Sequence, residues 1–170
     1  MAEVADHFYT TDPNGELAQS SGYVREGIAF FAFPTQIAGT VPLFRLFGGG
    51  DHFYTTDAGE VDFAVSVGYE REGVTAFVFP SQQEGTVPLL RLFGGGDHFY
   101  TTSAGEADFA ASVGYEREGI AAFVFSSEIP GSVPIFRWWK NLNAIQRPNP
   151  LPPETLNLLT KLYILGHKVA

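Results

Sequence analysis

The sequence contains the same unit three times, and this repetition limits the possible folds more than any other feature. The segment RLFGGGDHFYTT fills residues 45–56 and returns unchanged at residues 91–102. A further copy of DHFYTT lies near the start of the chain, so the units begin at Asp6, Asp51 and Asp97. A repeat of this length is one supersecondary unit that buries its apolar face against its neighbours.

The repeats divide the chain into two parts. The three units are residues 6–50, 51–96 and 97–141. We assign residues 1–141 to one three-repeat domain. Residues 142–170 form a separate segment, in which a proline-rich bridge precedes an amphipathic pattern of leucines. This pattern predicts a C-terminal helix, which we expect to dock on the domain, with dimerisation through the helix as an alternative.

Each unit has the pattern strand, helix, strand, strand. HFYTT is rich in aromatic and β-branched residues, as strands are. Asp57 lies three residues before Glu60, which is a capping box and predicts a short helix that ends at Gly68. GVTAFVF and VPLLRLF predict two further strands. The triglycine then turns the last strand into the next HFYTT, which predicts a hairpin.

The two ends of the chain complete each other. The first unit begins with DHFYTT but lacks the strand before it, whereas VPIFRWW at residues 133–139 lacks the strand after it. Because an unpaired strand edge promotes aggregation, we predict that these two end strands pair. The expected fold is β-rich α+β: a single pseudo-threefold, ring-closed domain of three β-α-β-β repeats, β-trefoil-like or small propeller-like, plus the C-terminal helix.

Composition disfavours several classes of function. The net charge of −9 disfavours nucleic acid and anionic lipid as partners, because both attract basic surfaces. The sequence has no apolar run long enough to insert across a membrane, and its first residues do not resemble a signal peptide. The chain has no cysteine. We therefore expect a cytoplasmic protein, with non-classical release as an alternative.

The succession of HFYTT, a short helix ending in GY, EGIAFxxF and VPLxRL resembles a known repeat of unknown function. That repeat follows the catalytic domains of bacterial cell-wall hydrolases and occurs in fungal proteins. The resemblance covers residues 6–139 and implies a non-catalytic accessory module for carbohydrate or cell-surface binding. The organisation of the chain also resembles that of fungal cytoplasmic lectins.

One face of each hairpin carries side chains that suit a sugar. Because side chains alternate along a strand, Arg91, His98 and Tyr100 share one face of the hairpin. Leu92 and Phe99 lie on the other face, which we assign to the core. Aromatic rings stack on the C–H faces of sugars, and guanidinium groups donate to neighbouring hydroxyls. The predicted ligand-binding residues are Arg45, His52 and Tyr54; Arg91, His98 and Tyr100; and Arg137, His7 and Tyr9, with Trp138 or Trp139 as a stacking platform.

An alternative is that these residues recur because every unit must fold in the same way. The histidines and tyrosines would then hydrogen-bond the next unit, and the arginines would pair with acidic residues such as Glu70 and Glu72. The aspartates after the triglycines, Asp51 and Asp97, are interpreted as turn residues.

Neither catalysis nor metal or cofactor binding is predicted. The histidines at positions 7, 52 and 98 could share a metal on the threefold axis, but we expect them to face outwards. The paired carboxylates of units two and three fall on a short exposed helix. Near-identical repeats do not give an acid and a base the different environments that they need. The sequence has no nucleotide-binding or nucleophile fingerprint.

The functional prediction is a non-catalytic, multivalent, lectin-like protein whose partners are cell-surface or cell-wall glycans or glycoconjugates. Three weak sites on one rigid domain would give avidity towards a repeated glycan. The alternative is a structural or protein-interaction scaffold that forms a homo-oligomer through the C-terminal helix.

Overall fold

The computed structural model of the protein describes residues 4–142. Its elements are β1 (Ala5–Thr10), a 3-10 segment (Gly15–Ser21), β2 (Val24–Ala32), β3 (Val41–Gly48), β4 (Asp51–Thr55), α1 (Ala58–Ser66), β5 (Glu70–Val78), β6 (Val87–Gly94), β7 (Asp97–Thr101), α2 (Ala104–Ser112), β8 (Glu116–Val124) and β9 (Val133–Asn141). The helices in this part of the chain are too short or too polar to span a membrane.

The strands form three antiparallel sheets of three strands each. The first sheet has the order β1-β9-β2, the second β4-β3-β5 and the third β7-β6-β8. In the first sheet the two ends of the domain pair, with Ala5 opposite Asn141 and Thr10 opposite Phe136. In the other two sheets the central strand and its hairpin partner are joined by a triglycine turn, so each sheet combines strands from two consecutive units.

The prediction of a ring-closed, β-trefoil-like or propeller-like domain is wrong. Regular strand pairing stops at the edges of three separate sheets, and neighbouring sheets of the described chain share only isolated bridges such as Phe33 with Phe77. The reason lies in the inner edge strands β1, β4 and β7. Their central backbone groups are satisfied by tyrosine side chains of a neighbouring sheet, so no continuous ladder is needed. The predicted C-terminal helix lies outside the described residues.

The predicted helices of units two and three are present, and their ends follow the sequence signals. The Asp57 side chain accepts from the N–H of Gly59, and that of Ser103 accepts from the N–H of Glu106. The residue after each C-cap is a glycine with positive φ, Gly68 or Gly114. In the first unit the shorter segment forms a 3-10 turn instead of an α-helix.

The inner edge strands β1 and β4 are buried on both faces, and β7 is nearly so. The inner faces of the three sheets meet in a central cluster that includes Leu43, Leu89 and Ile135. The outer faces pack under the helices, as Leu46 and Phe53 do against α1. All five residues of β4 are buried as a result. Polar side chains on these strands therefore contact a neighbouring sheet, as the backbone of His52 and the side chain of Asp6 do.

Candidate functional site

The three tyrosines predicted to bind ligand lie at the centre of the molecule. Tyr9, Tyr54 and Tyr100 are each 1% exposed, and their rings meet edge to face at 5.3–5.4 Å. The Tyr54 hydroxyl donates to the carbonyl oxygen of Tyr9, Tyr100 to that of Tyr54, and Tyr9 to that of Tyr100. Each hydroxyl also accepts from the backbone N–H of the same residue to which it donates. Burial raises the pKa of all three phenols, so they stay neutral.

The three histidines reach buried aspartates of a neighbouring sheet. The Nδ1 atom of His52 lies 2.7 Å from Asp6 Oδ2, and the His52 backbone N–H donates to Asp6 Oδ1 at 2.8 Å. The equivalent pairs are His98 with Asp51 and His7 with Asp97, each with a ring contact of 2.5 Å. A tyrosine of the aspartate's own sheet completes each cluster, as Tyr69 does by donating to Asp51 Oδ2 at 2.7 Å.

Neighbouring carboxylates keep His52 and His98 charged at neutral pH. Burial alone would lower the pKa of His52, but Asp6 and Glu72 outweigh it and raise the pKa to about 9. The pKa of His98 is raised to about 9 in the same way, by Asp51 and Glu118 against the effect of burial. The imidazolium forms therefore balance the buried carboxylates at neutral pH.

The three arginines also connect neighbouring sheets. Arg91 on β6 donates from both terminal nitrogens to Glu60 of α1, at 2.8 and 3.0 Å, and from Nε to Glu118 at 2.9 Å. Its guanidinium carbon lies 5.1 Å from the centroid of the Phe53 ring. The equivalent sets are Arg45 with Glu16, Glu72 and Phe8, and Arg137 with Glu106, Glu26 and Phe99.

The structure thus brings the predicted site residues together, but between sheets rather than on an outer face. The expectation that the histidines face outwards is wrong, because His7 and His52 are buried and the His98 side chain is only 12% exposed. Trp138 is buried and packs in a cluster with Phe8 and Phe136. The interpretation of the repeated residues as contacts between units is confirmed for the tyrosine, histidine and arginine positions.

Sequence reasoning missed the role of the aspartates. Asp6, Asp51 and Asp97 are buried, and one oxygen of each lies within 4.8 Å of the others. A metal could use such a group in principle, but every one of these carboxylates already accepts from a histidine N–H, a histidine ring and a tyrosine hydroxyl. The repeated Asp-His dipeptide at the start of each unit is the sequence feature that could have indicated these contacts.

A groove of about 320 Å³ lies between α1 and the outer face of the second sheet. Its lining residues include Phe44, Ala58, Val61, Asp62, Arg71 and Val74. Phe44 and Val74 come from neighbouring strands and form an apolar floor. The side chain of Val61, on α1, is buried between the helix and the sheet. The size lies at the lower end of the range for small-molecule sites.

The rim of this groove is charged and solvent-exposed. Arg71 donates to Asp62 Oδ1 at 2.8 Å, and the side chains are 58% and 76% exposed. A surface pair of this kind contributes little to stability, so its partners can exchange with a ligand at low cost. Sequence reasoning missed the groove because it depends on how the helix lies over the sheet. The pairing itself repeats in unit three, where Arg117 donates to Asp108.

These features define a β-rich repeat domain in which consecutive units share buried polar junctions. The chain matches the model of a domain of unknown function, DUF5648, over residues 1–79 and again over residues 48–145, and it belongs to that family. The two overlapping matches agree with the internal repetition. No curated protein and no solved structure shows significant similarity to the chain.

Proposed function

We propose that this domain binds carbohydrate without catalysis, and that the groove beside α1 is a binding site. The observation that carries the proposal is the combination of an aromatic floor, Phe44, with an exposed acceptor and donor, Asp62 and Arg71, on one rim. A pyranose ring offers an apolar C–H face to the aromatic ring and hydroxyls to the rim. The planar guanidinium can donate to two neighbouring hydroxyls at once.

The charge distribution favours a neutral sugar. The chain carries a net charge of −9, and the groove has acidic neighbours, since Arg45 on its lining is already paired with Glu16 and Glu72. An acidic sugar would meet repulsion from this surface. The resemblance to accessory modules of bacterial cell-wall hydrolases and to fungal proteins supports cell-wall or cell-surface glycans as the source. The recurrence of the unit supports the proposal of more than one site.

The buried polar residues support a non-catalytic role. The carboxylates of Asp6, Asp51 and Asp97 are held by histidine and tyrosine donors, away from the groove. Asp62 is exposed and paired with Arg71, and it is the only carboxylate among the described residues that line the groove, whereas hydrolysis of a glycoside commonly uses a pair.

A glycan array followed by calorimetry tests the proposal. Phe44→Ala should weaken binding of a neutral glycan about ten-fold, because the stacking surface is lost. Asp62→Asn should weaken it less, because the amide still accepts one hydrogen bond. Phe63→Ala is the matched control, since Phe63 lies on the same helix, is 69% exposed and does not line the groove. The folded protein binding no neutral glycan, or Phe44→Ala binding as well as the native chain, would overturn the proposal.

A second candidate function is protein interaction. It is favoured by the exposed apolar side chains of Leu17, Phe63 and Val67, which lie on the helical segments of the first two units. The proposed oligomerisation through the C-terminal segment concerns residues that, apart from Leu142, fall outside the described part of the chain. Sedimentation velocity on the full chain and on a chain without residues 143–170 would test it, because a scaffold should lose its self-association and ignore sugars.

A further inference from the structure

We propose that the three repeats do not carry equivalent binding grooves: the groove of the second sheet is complete, that of the third sheet lacks its aromatic floor, and that of the first sheet is covered by Arg25. This inference rests on the proposed function and predicts which units bind. It replaces an expectation of three equal sites with one principal site.

The repeat aligns the groove residues of the three sheets. The floor position is Phe44 in the second sheet, Leu90 in the third and Phe136 in the first, because each precedes the arginine that bridges two sheets. The rim arginine is Arg71, Arg117 or Arg25, two residues after the tyrosine that follows each helical segment.

The first unit has no counterpart of Asp62. The backbone N–H of Tyr23 donates to the carbonyl oxygen of Ala18 at 3.0 Å, as that of Tyr69 does to Ala64. Ala18 therefore takes the place of Ala64, and Glu16, which pairs with Arg45, takes the place of Glu60. Only Leu17 lies between Glu16 and Ala18, so the turn that carries Asp62 in unit two is missing.

Without that carboxylate, the first rim arginine lies on the groove floor. The guanidinium carbon of Arg25 is 4.6 Å from the centroid of the Phe136 ring, a cation–π distance. The Phe136 side chain is buried, at 6% exposure, whereas Phe44 is only partly buried. Arg25 thus occupies the surface on which a sugar would stack. In the second sheet, Asp62 pairs with Arg71 and holds it at the rim, so the ring of Phe44 stays accessible. Asp62 is therefore a positioning residue.

The third sheet keeps the rim but not the ring. Arg117 pairs with Asp108 as in unit two, and the floor residue is Leu90. An aliphatic side chain offers contact area but no π face, so we expect affinity about five-fold weaker than at Phe44.

The test is a titration of ¹⁵N-labelled full-length protein with methyl N-acetyl-β-glucosaminide, followed by two-dimensional NMR. Equivalent exposed residues report on each groove: Val74 for the second sheet, Ile120 for the third and Ile28 for the first. The Val74 amide should shift with the lowest Kd, Ile120 with a Kd about five-fold higher, and Ile28 not at all. Repeating the titration with methyl glucoside and methyl mannoside covers other neutral hexoses.

Two substitutions make the test decisive. Arg25→Ala should uncover Phe136 and make Ile28 respond to the sugar, whereas Arg25→Lys keeps a cation in place and should leave it silent. Leu90→Phe should bring the Kd reported by Ile120 close to that reported by Val74. Equal Kd values at the three amides of the native protein, or no response of Ile28 in Arg25→Ala, would overturn this inference alone. Silence of all three amides with every sugar would overturn the proposed function and this inference with it.

Discussion

The hydroxyl of Tyr54 donates to the carbonyl oxygen of Tyr9 at 2.8 Å and accepts from the backbone N–H of the same residue at 2.7 Å. One side chain therefore does what a paired strand would do for an edge residue. Because Tyr100 and Tyr9 repeat the arrangement, three separate sheets associate around a closed cycle of side-chain hydrogen bonds. The cycle explains why the end strands can complete a sheet without the whole domain forming one continuous ladder.

Replacing Tyr54 by Phe should therefore destabilise the domain strongly. The change removes the hydroxyl group, so the backbone N–H and the carbonyl oxygen of Tyr9 stay buried without a hydrogen-bond partner. Each unsatisfied buried group costs about 1–3 kcal/mol, so we expect a loss of about 2–4 kcal/mol in the free energy of unfolding, measured by urea denaturation.

Tyr69→Phe is the matched control for this substitution. Tyr69 also donates to another residue, Asp51, but that carboxylate keeps its hydrogen bonds from the backbone N–H and ring of His98. We expect a loss of about 1 kcal/mol. Equal losses for Tyr54→Phe and Tyr69→Phe would show that the tyrosine cycle has no special role in holding the sheets together.

The histidines predict a stability that decreases in mild alkali. The pKa values of His52 and His98 are about 9 in the folded protein and about 6.5 in an unfolded chain. A raised folded pKa means that the stabilisation is fully present below pH ~6.5 and is lost as the pH rises through ~9. Between pH 6 and 9.5 we expect a decrease on the order of a few kcal/mol in the free energy of unfolding, measured by urea denaturation at each pH.

A substitution separates this effect from other alkaline changes. His98→Gln removes one titrating group, so the variant should be less stable at pH 6 but lose less stability between pH 6 and 9.5. On the acid side the direction reverses: Arg91 lowers the pKa of Glu60, and His98 lowers that of Glu118. Their stabilisation is present above pH ~4.5 and is lost as the pH falls below it. A native protein whose stability is flat from pH 6 to 9.5 would contradict the charged histidine–aspartate pairs.

The sequence predicted the repeats, the order of elements in units two and three, and the partnership of the two end strands. It also assigned Leu92 and Phe99 to the core, where they pack with Ala107 and Ala110 of α2. It did not show that the face with Arg91, His98 and Tyr100 meets a neighbouring sheet, because strand alternation separates two faces but does not say that both are buried. Polar side chains that face water and polar side chains that join two sheets have the same period of two residues.

The same limit explains the groove and the aspartates. Asp97 directly follows a triglycine, which is typical of a turn, and only the position of a neighbouring sheet shows that it accepts from His7. The groove depends on the distance between α1 and Phe44, which no local pattern records. The chemistry of the single unit can thus be read from the sequence, whereas the chemistry between units requires the arrangement of the three sheets.

In the first unit, we expect replacement of Gly15 by Ala to lower the free energy of unfolding more than the same change at other glycines with positive φ. Gly15 has a φ of +67°, and a Cβ atom built on it would lie 2.5 Å from Cε2 of Trp138. Gly49 has a similar φ of +58°, but a Cβ atom there would meet nothing within 4 Å. Gly49→Ala should therefore cost only the left-handed backbone strain of about 1–2 kcal/mol. Gly15→Ala should cost about 1–3 kcal/mol more, because the indole has to move within a packed cluster.

The cause can be tested by changing the indole instead of the backbone. Leu46 and Leu92 occupy the positions in the other units that correspond to Trp138, so a leucine is compatible with this fold. In the Gly15→Ala background, Trp138→Leu should recover part of the lost stability, although it is expected to destabilise the native chain by leaving a cavity. Urea denaturation of the four proteins of this double-mutant cycle measures the coupling between the two positions. Additive losses would show that Gly15 is required for its backbone conformation alone and not for the contact with Trp138.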